Sequence, residues 1–298
     1  MAMNRREFVS GVGAFAAAGV VNRLFAEQAE DALDVWQRET DLVKAETFRD
    51  YLEDGKTRGL ASLEKLERAF EKVFREARET TVGDVPAVWS VYNMGYVVKT
   101  RESLFSIDLV HRRSCEFAPL LDFALITHNH GDHFTEEFYK AMDGAGKTVI
   151  SNFKGNYGTK DWKKDGGYTR AVKTFAIKDV TVRTSLTDHN DYLVDFTTAF
   201  EVHVGKYTIY HSGDCSNVAK LNPTRRPDLW IVHPYCGMKT ERGVEKMKPQ
   251  LTAIAHLNEL GHARNRWRWT WADGFKAKAQ AEEAGGKAIV PVWGERIV

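Results

Sequence analysis

The sequence has few cysteines, no excess of charge of either sign and no long hydrophobic run. Its three cysteines, Cys115, Cys215 and Cys236, are too few and too widely spaced for a disulfide framework or a cysteine-based zinc module. The 42 Lys and Arg residues nearly balance the 41 Asp and Glu residues, so no overall field favours nucleic acid or acidic membranes as partners. Short repeats and low-complexity segments are also missing, which argues against a solenoid.

The main apolar stretch near the N terminus resembles an export signal. Arg5 and Arg6 precede a Gly- and Ala-rich run over 8–21, about 14 residues, which is too short to span a bilayer comfortably. The R-R-x-F-V pattern is similar to twin-arginine signals, which direct folded proteins across the bacterial inner membrane. We therefore expect 1–29 to be an export signal and the protein to be periplasmic, with no stable membrane span unless the signal stays uncleaved. The alternative is an amphipathic or disordered N terminus.

Residues 30–80 are predicted to form a helical arm. Apolar residues recur at spacings of three and four over 31–55 and over 59–80, which predicts two helices separated at the glycines 55 and 59. The apolar stripe of the second helix consists of Leu60, Leu63, Leu66, Ala69, Phe70, Val73 and Phe74. This face either docks on the main domain or pairs with a second copy, which would give a homo-oligomer.

From residue 81 to residue 298 the pattern changes to short strands and turns. Segments such as "AVWSVYNMGYVVKT", "FALITH" and "FTTAFEVHVGKYTIYHSGD" read as strands, with helical or irregular stretches between some of them. Strand pairs separated by helices predict an α/β sandwich rather than a single wound parallel sheet. This part of the chain is the expected catalytic domain.

One short loop after an apolar strand concentrates histidines and an aspartate. In "FALITHNHGDH" the strand is followed by His128, His130, Asp132 and His133. A purely structural role is hard to assign to them, because buried imidazoles need partners and exposed ones add nothing to a core. Residues 128 and 130 of an extended segment point to one side and can share a cation. Gly131 is expected to permit a sharp turn toward a second cation, about 3.5 to 4 Å from the first.

This H-x-H-x-D-H pattern resembles the motif of the metallo-β-lactamase superfamily. Over 81–298 the resemblance implies an αββα sandwich, here with the helical arm as an N-terminal extension. It implies one or two metals at one edge of the sheets, usually two zinc ions, with iron or manganese as alternatives. In that family an opening hairpin with a glycine leads to an aspartate, which here is Asp108.

The other ligands that the resemblance implies follow later strands. They are His189 in "LTDHND", Asp214 in "YTIYHSGD" and His256 in "LTAIAH". One metal would be held by His128, His130, His189 and Asp214, and the other by Asp132, His133, Asp214 and His256. His262 is the rival of His256, either as the last ligand or as a partner behind it. Cys215 adjoins Asp214 but is expected to be a structural thiol.

Such a metal pair suits hydrolysis. It lowers the pKa of a bridging water toward neutrality and polarises the attacked oxygen, so a metal-bound hydroxide would be the nucleophile. Asp132 is the expected catalytic residue, because its carboxylate can orient the hydroxide or accept its proton. The expected substrate is a small ester, lactone or phosphodiester. "HSGD" and "DLWIVHPYCGM" resemble the branch that contains ascorbate-6-phosphate lactonase and N-acyl phosphatidylethanolamine phosphodiesterase.

The segment "HARNRWRWTWADG" interleaves arginines and tryptophans beside the last ligand. Arg264, Arg266 and Trp267 are candidates for substrate binding, because Arg can clamp a phosphate and Trp can stack on an organic ring. The alternative is a packed loop with solvated arginines.

An iron-dependent oxidoreductase on the same scaffold and a β-lactam hydrolase are the alternative enzymes. A non-enzymatic protein with a structural metal is disfavoured, since structural zinc sites are usually closed and four-coordinate.

Overall fold

Residues 32–153 and 172–298 are described by the computed structural model. The predicted export signal at 1–29 lies outside these residues. Among the helices in the described ranges, none is both long enough and apolar enough to cross a membrane.

The described strands form two sheets. The first has the spatial order β1-β2-β3-β4-β5 and consists of β1 (Ala87–Tyr92), β2 (Gly95–Lys99), β3 (Leu104–Ile107), β4 (Phe123–Ile126) and β5 (Thr148–Ser151). The second has the order β12-β11-β10-β9-β8-β7-β6 and consists of β6 (Thr174–Ile177), β7 (Val180–Thr187), β8 (Thr197–Val204), β9 (Tyr207–His211), β10 (Leu229–Val232), β11 (Leu251–Ile254) and β12 (Ala288–Ile289). Strands β3 to β5 and β9 to β12 run parallel, and the other pairs are antiparallel.

Alternation along the strands separates two cores. Phe123 and Leu125 of β4 lie in one core with Leu229 and Ile231 of β10, so this core fills the space between the sheets. The intervening residues, such as Ala124 and Trp230, lie in a second core that they share with the helices. Each sheet therefore buries both faces, which explains why these strands read as continuous apolar runs. The predicted αββα sandwich is confirmed.

The helices cover the outer faces of the sheets. They are α1 (residues 32–41), α2 (Ala45–Asp54), α3 (Ala61–Glu79), α4 (Glu136–Gly144), α5 (Thr240–Met247) and α6 (Trp271–Glu283). Helix α6 begins with a capping box between Thr270 and Asp273, which satisfies the free N–H groups of its first turn.

The arm contains three described helices rather than the two expected, because the first predicted helix is interrupted between α1 and α2. No glycine or proline marks this break. Val43 is buried there, and the guanidinium of Arg268 donates hydrogen bonds to the carbonyl oxygens of Thr40 (3.2 Å) and Val43 (2.6 Å). These contacts satisfy carbonyls that a continuous helix would use, so tertiary structure outweighs the local helical pattern.

The apolar stripe of α3 docks on the sandwich. Leu63, Leu66, Phe70 and Val73 are fully buried, and they share one core with Trp89 of β1. Docking is therefore the alternative that the structure shows for this face. A homo-oligomer would need a different surface.

Candidate metal centre

The first ligand loop is anchored where β4 ends. The N–H of Thr127 donates to Oδ1 of Asp108 and its hydroxyl donates to Oδ2, both at 2.7 Å. The carbonyl of Thr127 accepts a hydrogen bond of 2.8 Å from the N–H of Thr198, at the start of β8 in the other sheet. The residue before His128 is thus held by both layers of the sandwich.

A helical turn, rather than a special glycine conformation, reverses the loop. The N–H groups of His133 and Phe134 donate to the carbonyl of His130 at 3.0 and 2.9 Å. Gly131 has no positive φ, and a Cβ added to it would meet open space. The chain does turn at Gly131 as expected, but the turn does not depend on glycine, because a side chain could adopt the same backbone.

Glycine is required instead in the loop that presents Asp214. Gly213 has φ +55°, and a Cβ there would lie 2.6 Å from the side chain of Thr197. The N–H of Gly213 also donates to Nδ1 of His211, at the end of β9. This tight turn directs Asp214 into the space beside the first loop.

The seven predicted ligand residues come together at one edge of the sandwich. Their donor atoms form two clusters, in each of which all atoms lie within 4.8 Å of one another. We name them the histidine group, formed by His128, His130 and His189, and the mixed group, formed by Asp132, His133, Asp214 and His256. Each group follows the ends of strands from both sheets.

Asp214 lies between the two groups. Its Oδ2 is 3.5 Å from Nε2 of His189 in the histidine group and 3.7 Å from Nε2 of His256 in the mixed group. Its Oδ1 is 3.2 Å from Nε2 of His133. Because Oδ2 faces imidazole nitrogens of both groups and Oδ1 faces the mixed group, this residue is placed as a bridging ligand would be.

Several buried polar atoms of the site lack hydrogen-bond partners among the described residues. They include Nε2 of His128, Nε2 of His133 and Oδ1 of Asp214. Although the last two atoms lie 3.2 Å apart, they are not aligned for a hydrogen bond. Leaving such atoms unpaired costs roughly 1–3 kcal/mol each. Metal coordination would satisfy all three, so the donor set fits divalent cations.

The carboxylates dominate the electrostatics of the mixed group. Burial alone would lower the pKa of His133, but Asp214, Asp132 and Asp108 raise it well above its usual value. Burial alone would raise the pKa of Asp214, but His133 and His256 hold it well below. Without a metal, these carboxylates favour the protonated form of the neighbouring imidazoles. A divalent cation would take the place of those protons.

In the histidine group, burial has the largest effect on the pKa values of His128 and His130. The pKa of His128 is held well below its usual value by burial and by the neighbouring His133. Burial and the nearby His189 likewise lower the pKa of His130. Neutral imidazoles with free lone pairs are the form that binds metals.

His256 and His262 occupy different environments. Nε2 of His256 lies 2.9 Å from Oδ2 of Asp132, inside the mixed group. His262 lies outside both groups, where its Nδ1 is 3.1 Å from Oε2 of Glu259. Its ring stands 6.1 Å from that of His256. Of the two candidates for the last ligand, the structure brings His256 to the others.

The three residues predicted to bind substrate contact residues outside the two ligand groups. Arg264 forms an ion pair of 2.8 Å with Asp41 of α1, and the guanidinium of Arg266 lies 4.0 Å from the ring centre of Trp267. Trp267 is 56% exposed, and its ring is 5.9 Å from that of His262. Trp267 therefore reaches the ligand groups only indirectly, because its ring lies beside His262, whose ring faces His256. Arg264 contacts the arm instead.

Two polar residues at the site were not predicted. The amide of Asn93, in the β1–β2 hairpin, donates to the carbonyl of Asp132 at 3.1 Å. The thiol of Cys236 lies 3.9 Å from Nδ1 of His189 and donates to the carbonyl of Asp214 at 3.1 Å. Neither position follows an expected ligand motif. Cys215, by contrast, is the buried structural thiol that was expected, and burial raises its pKa to about 11.

Comparison with known proteins finds one similar sequence and several structures of the same fold. No protein-family model matches the chain. Its sequence is 25% identical over 190 residues to a metal-dependent hydrolase of Nanoarchaeum equitans, covering 59% of this chain and 84% of that protein.

Solved structures share the fold at low sequence identity. A possible metal-dependent hydrolase from Veillonella parvula has a TM-score of 0.54 at 15% identity, covering 71% of this chain and 98% of its own. A metallo-β-lactamase fold protein from Bacillus subtilis has a TM-score of 0.52 at 14% identity, with coverages of 71% and 98%. A diiron β-hydroxylase from Streptomyces venezuelae has a TM-score of 0.51 at 15% identity, and the matched region spans 71% of this chain but 54% of that enzyme.

The matched fold, the two ligand groups and the relative from Nanoarchaeum agree with one another. The chain therefore has the metallo-β-lactamase fold, and its sequence is similar to that of a metal-dependent hydrolase.

Proposed function

We propose that the protein binds two metal ions, with zinc as the favoured metal, and hydrolyses a small ester, lactone or phosphodiester. The observation that carries this proposal is the position of Asp214 between the histidine group and the mixed group. A structural zinc site is usually closed with four ligands around one ion. Two adjacent groups that share one carboxylate instead suit a binuclear hydrolytic site.

The metals, when bound, would supply an activated water and polarise the scissile bond. The residues of the chain hold and orient the reactants. His130 and His189 are the half-exposed members of the histidine group, whereas His128 is fully buried. The substrate would therefore approach from the side of His130 and His189.

Asp132 is proposed to act on the proton of the attacking water. Its side chain is 11% exposed, and its Oδ2 faces Nε2 of His256 and Nε2 of His133 at 2.9 and 3.4 Å. The imidazoles of His133 and His256 hold its pKa well below the usual value, against the effect of burial. An ionised carboxylate at the open side of the mixed group can orient a water or accept its proton.

The experiment is metal analysis combined with a substrate panel. Purified protein is loaded with zinc, freed of excess metal and assayed against phosphodiesters, lactones, carboxylic esters and β-lactams. We expect close to two zinc ions per chain and turnover of an ester, lactone or phosphodiester. A metal content of one or less after loading would contradict the binuclear site, and turnover of β-lactams alone would favour the β-lactam hydrolase.

The alternative proposal is an iron-dependent oxidoreductase. It is motivated by the diiron β-hydroxylase that shares the fold, and by the donor set, since imidazole and carboxylate ligands also suit iron. Iron rather than zinc in protein purified without added metal would favour this alternative. A test for oxygen consumption in the presence of a reductant would then replace the hydrolysis panel.

A further inference from the structure

A cavity of about 800 Å³ adjoins the candidate metal centre. Its lining includes Asp188 and Asn190, which flank His189, and Ser216, which follows Asp214 by two positions. Cys236 also lines it, and the thiol of Cys236 contacts the carbonyls of both His189 and Asp214. The volume lies in the range of about 300–1,000 Å³ that small-molecule pockets occupy. The cavity therefore lies beside His189, a half-exposed member of the histidine group.

The walls of the cavity differ in polarity. Val194, Val218, Ala219 and Met238 provide apolar surface. Lys239 and Arg242 also line the cavity; Lys239 directly precedes helix α5, and Arg242 lies in its first turn. Both cationic side chains are exposed. A ligand that fills the cavity would therefore meet apolar groups and two positive charges.

The carboxylates and the cations of this wall differ in how far they are paired within the protein. Asp188 is already engaged, because it accepts hydrogen bonds from Asn217 (2.9 Å) and from the N–H of Asp195 (3.0 Å) and lies 3.6 Å from Nζ of Lys220. Within the described ranges, Lys239 and Arg242 have no ion-pair partner. Asp191 is the remaining carboxylate of the lining. Lys239 and Arg242 are therefore the cations of this wall that an anionic ligand could pair with.

We propose that this cavity binds the part of the substrate remote from the scissile bond, and that this part carries an anionic group such as a carboxylate or a phosphate. The proposal rests on the proposed hydrolytic function and narrows its substrate class. The scissile bond would lie at the metal centre beside His189, a short apolar spacer would pass Cys236 and Met238, and the anion would lie against Lys239 and Arg242. Charge-assisted hydrogen bonds to an anion are about twice as strong as neutral ones, so this wall would set specificity.

The test compares two esters with the same leaving group. 4-Nitrophenyl acetate is neutral, and the mono-4-nitrophenyl ester of glutaric acid carries a carboxylate on a three-carbon spacer. For the zinc-loaded protein we expect a lower KM for the glutarate ester. Lys239→Met should raise that KM about tenfold, as the loss of one charged contact predicts, with a much smaller effect on the KM for the acetate. Asp191→Asn should lower the KM for the glutarate ester.

Lys276→Met is the matched control, because it removes an exposed lysine from α6, outside the cavity lining. It should leave both KM values unchanged. Equal changes for the two esters in Lys239→Met, or no change in either, would overturn the anion site while leaving ester hydrolysis intact.

A binding measurement separates the anion site from the proposed reaction. Glutarate is titrated into the zinc-loaded wild type and into the Lys239→Met, Arg242→Met variant by calorimetry. We expect the double variant to bind at least tenfold more weakly. Equal affinities would overturn the proposal even if esters are hydrolysed. If neither ester is hydrolysed but glutarate binding depends on these two residues, the anion site stands and the reaction is judged by the lactones and phosphodiesters of the substrate panel.

Discussion

Oδ2 of Asp108 lies 2.8 Å from Nδ1 of His133, and neither side chain is exposed to solvent. Since an ionised carboxylate only accepts hydrogen bonds, Nδ1 of His133 must carry the proton. When a metal replaces the second proton of this imidazole, the lone pair of Nε2 points into the mixed group. Asp108 also accepts from Thr127, so one carboxylate fixes both the imidazole and the start of the ligand loop. Partners of this kind tune metal affinity without touching the metal.

Asp108→Asn should lower zinc affinity about 10- to 100-fold while the chain stays folded. An asparagine that turns its amide toward His133 would require Nδ1 to accept, which moves the proton to Nε2 and removes the ligand. Competition with a chromophoric chelator measures the affinity. Asp228→Asn is the control, because Asp228 accepts from Thr208 at the opposite ends of the strands. Equal zinc affinities for the wild type and Asp108→Asn would show that the contact does not orient His133.

Asp214→Ala and His130→Ala should differ in metal content. Asp214 faces both groups, so its loss should abolish hydrolysis and reduce the binding of both metals. His130 belongs to the histidine group alone, so His130→Ala should abolish hydrolysis but retain about one metal. Both residues lie at the rim rather than in the core, and circular dichroism should show a native fold. Near-native turnover and metal content in Asp214→Ala would rule out the bridging role.

Metal binding should stabilise the folded chain. A ligand that binds only the native state adds about 2.7 kcal/mol to the free energy of unfolding when its free concentration is 100 times its Kd. Thermal unfolding of chelator-treated protein, with and without zinc, measures this shift as a higher Tm. Asp214→Ala should show little increase. A zinc-dependent increase of the same size in that variant would indicate binding elsewhere.

Local signals in the sequence located much of the fold and the first ligand loop. The apolar runs of β4 and β10 are continuous because both faces of these strands are buried, and the loop after β4 places its ligands within six residues, 128–133. By contrast, β6 has a weak signal, since its four residues lie at a sheet edge and alternate between exposed and half-buried. Edge strands need little apolar surface.

The features that could not be predicted from the sequence depend on contacts between residues far apart along the chain. His256 and His262 have similar neighbours in the sequence. What distinguishes His256 is its contact with Asp132, which lies 124 positions away along the chain. The break between α1 and α2 likewise depends on Arg268, 225 positions from Val43. Cys236 reaches His189 across 47 positions and belongs to no spacing motif. Such pairings follow from the assembled sheets and have no local signature.

Export by the twin-arginine route remains a prediction. Folding around zinc or iron before export would avoid competition from copper outside the cytoplasm, where copper binds such ligands more tightly. We expect the Arg5→Lys, Arg6→Lys variant to accumulate in the cytoplasm with its metal content intact. Arg23→Lys, beyond the apolar run, is the matched control and should be exported. Equal amounts of the double variant and wild type in the periplasmic fraction would remove this assignment.

The final prediction concerns Arg268, which joins the arm to the loop after His256. Its buried guanidinium donates to the carbonyls of Leu260 (2.7 Å) and His262 (2.6 Å) in that loop, and to the two arm carbonyls that end α1. Arg268→Met would leave these buried carbonyls without a donor, so the free energy of unfolding should fall by about 3 kcal/mol.

Urea unfolding measures this loss, with Arg266→Met as the control. Arg266 is exposed and lies over Trp267, so its removal should cost less than about 1 kcal/mol. Because the same loop carries His256, Arg268→Met should also weaken zinc binding, and Arg266→Met should not. Equal unfolding free energies for the two variants would mean that Arg268 contributes nothing to holding the arm and does not connect it to the metal centre.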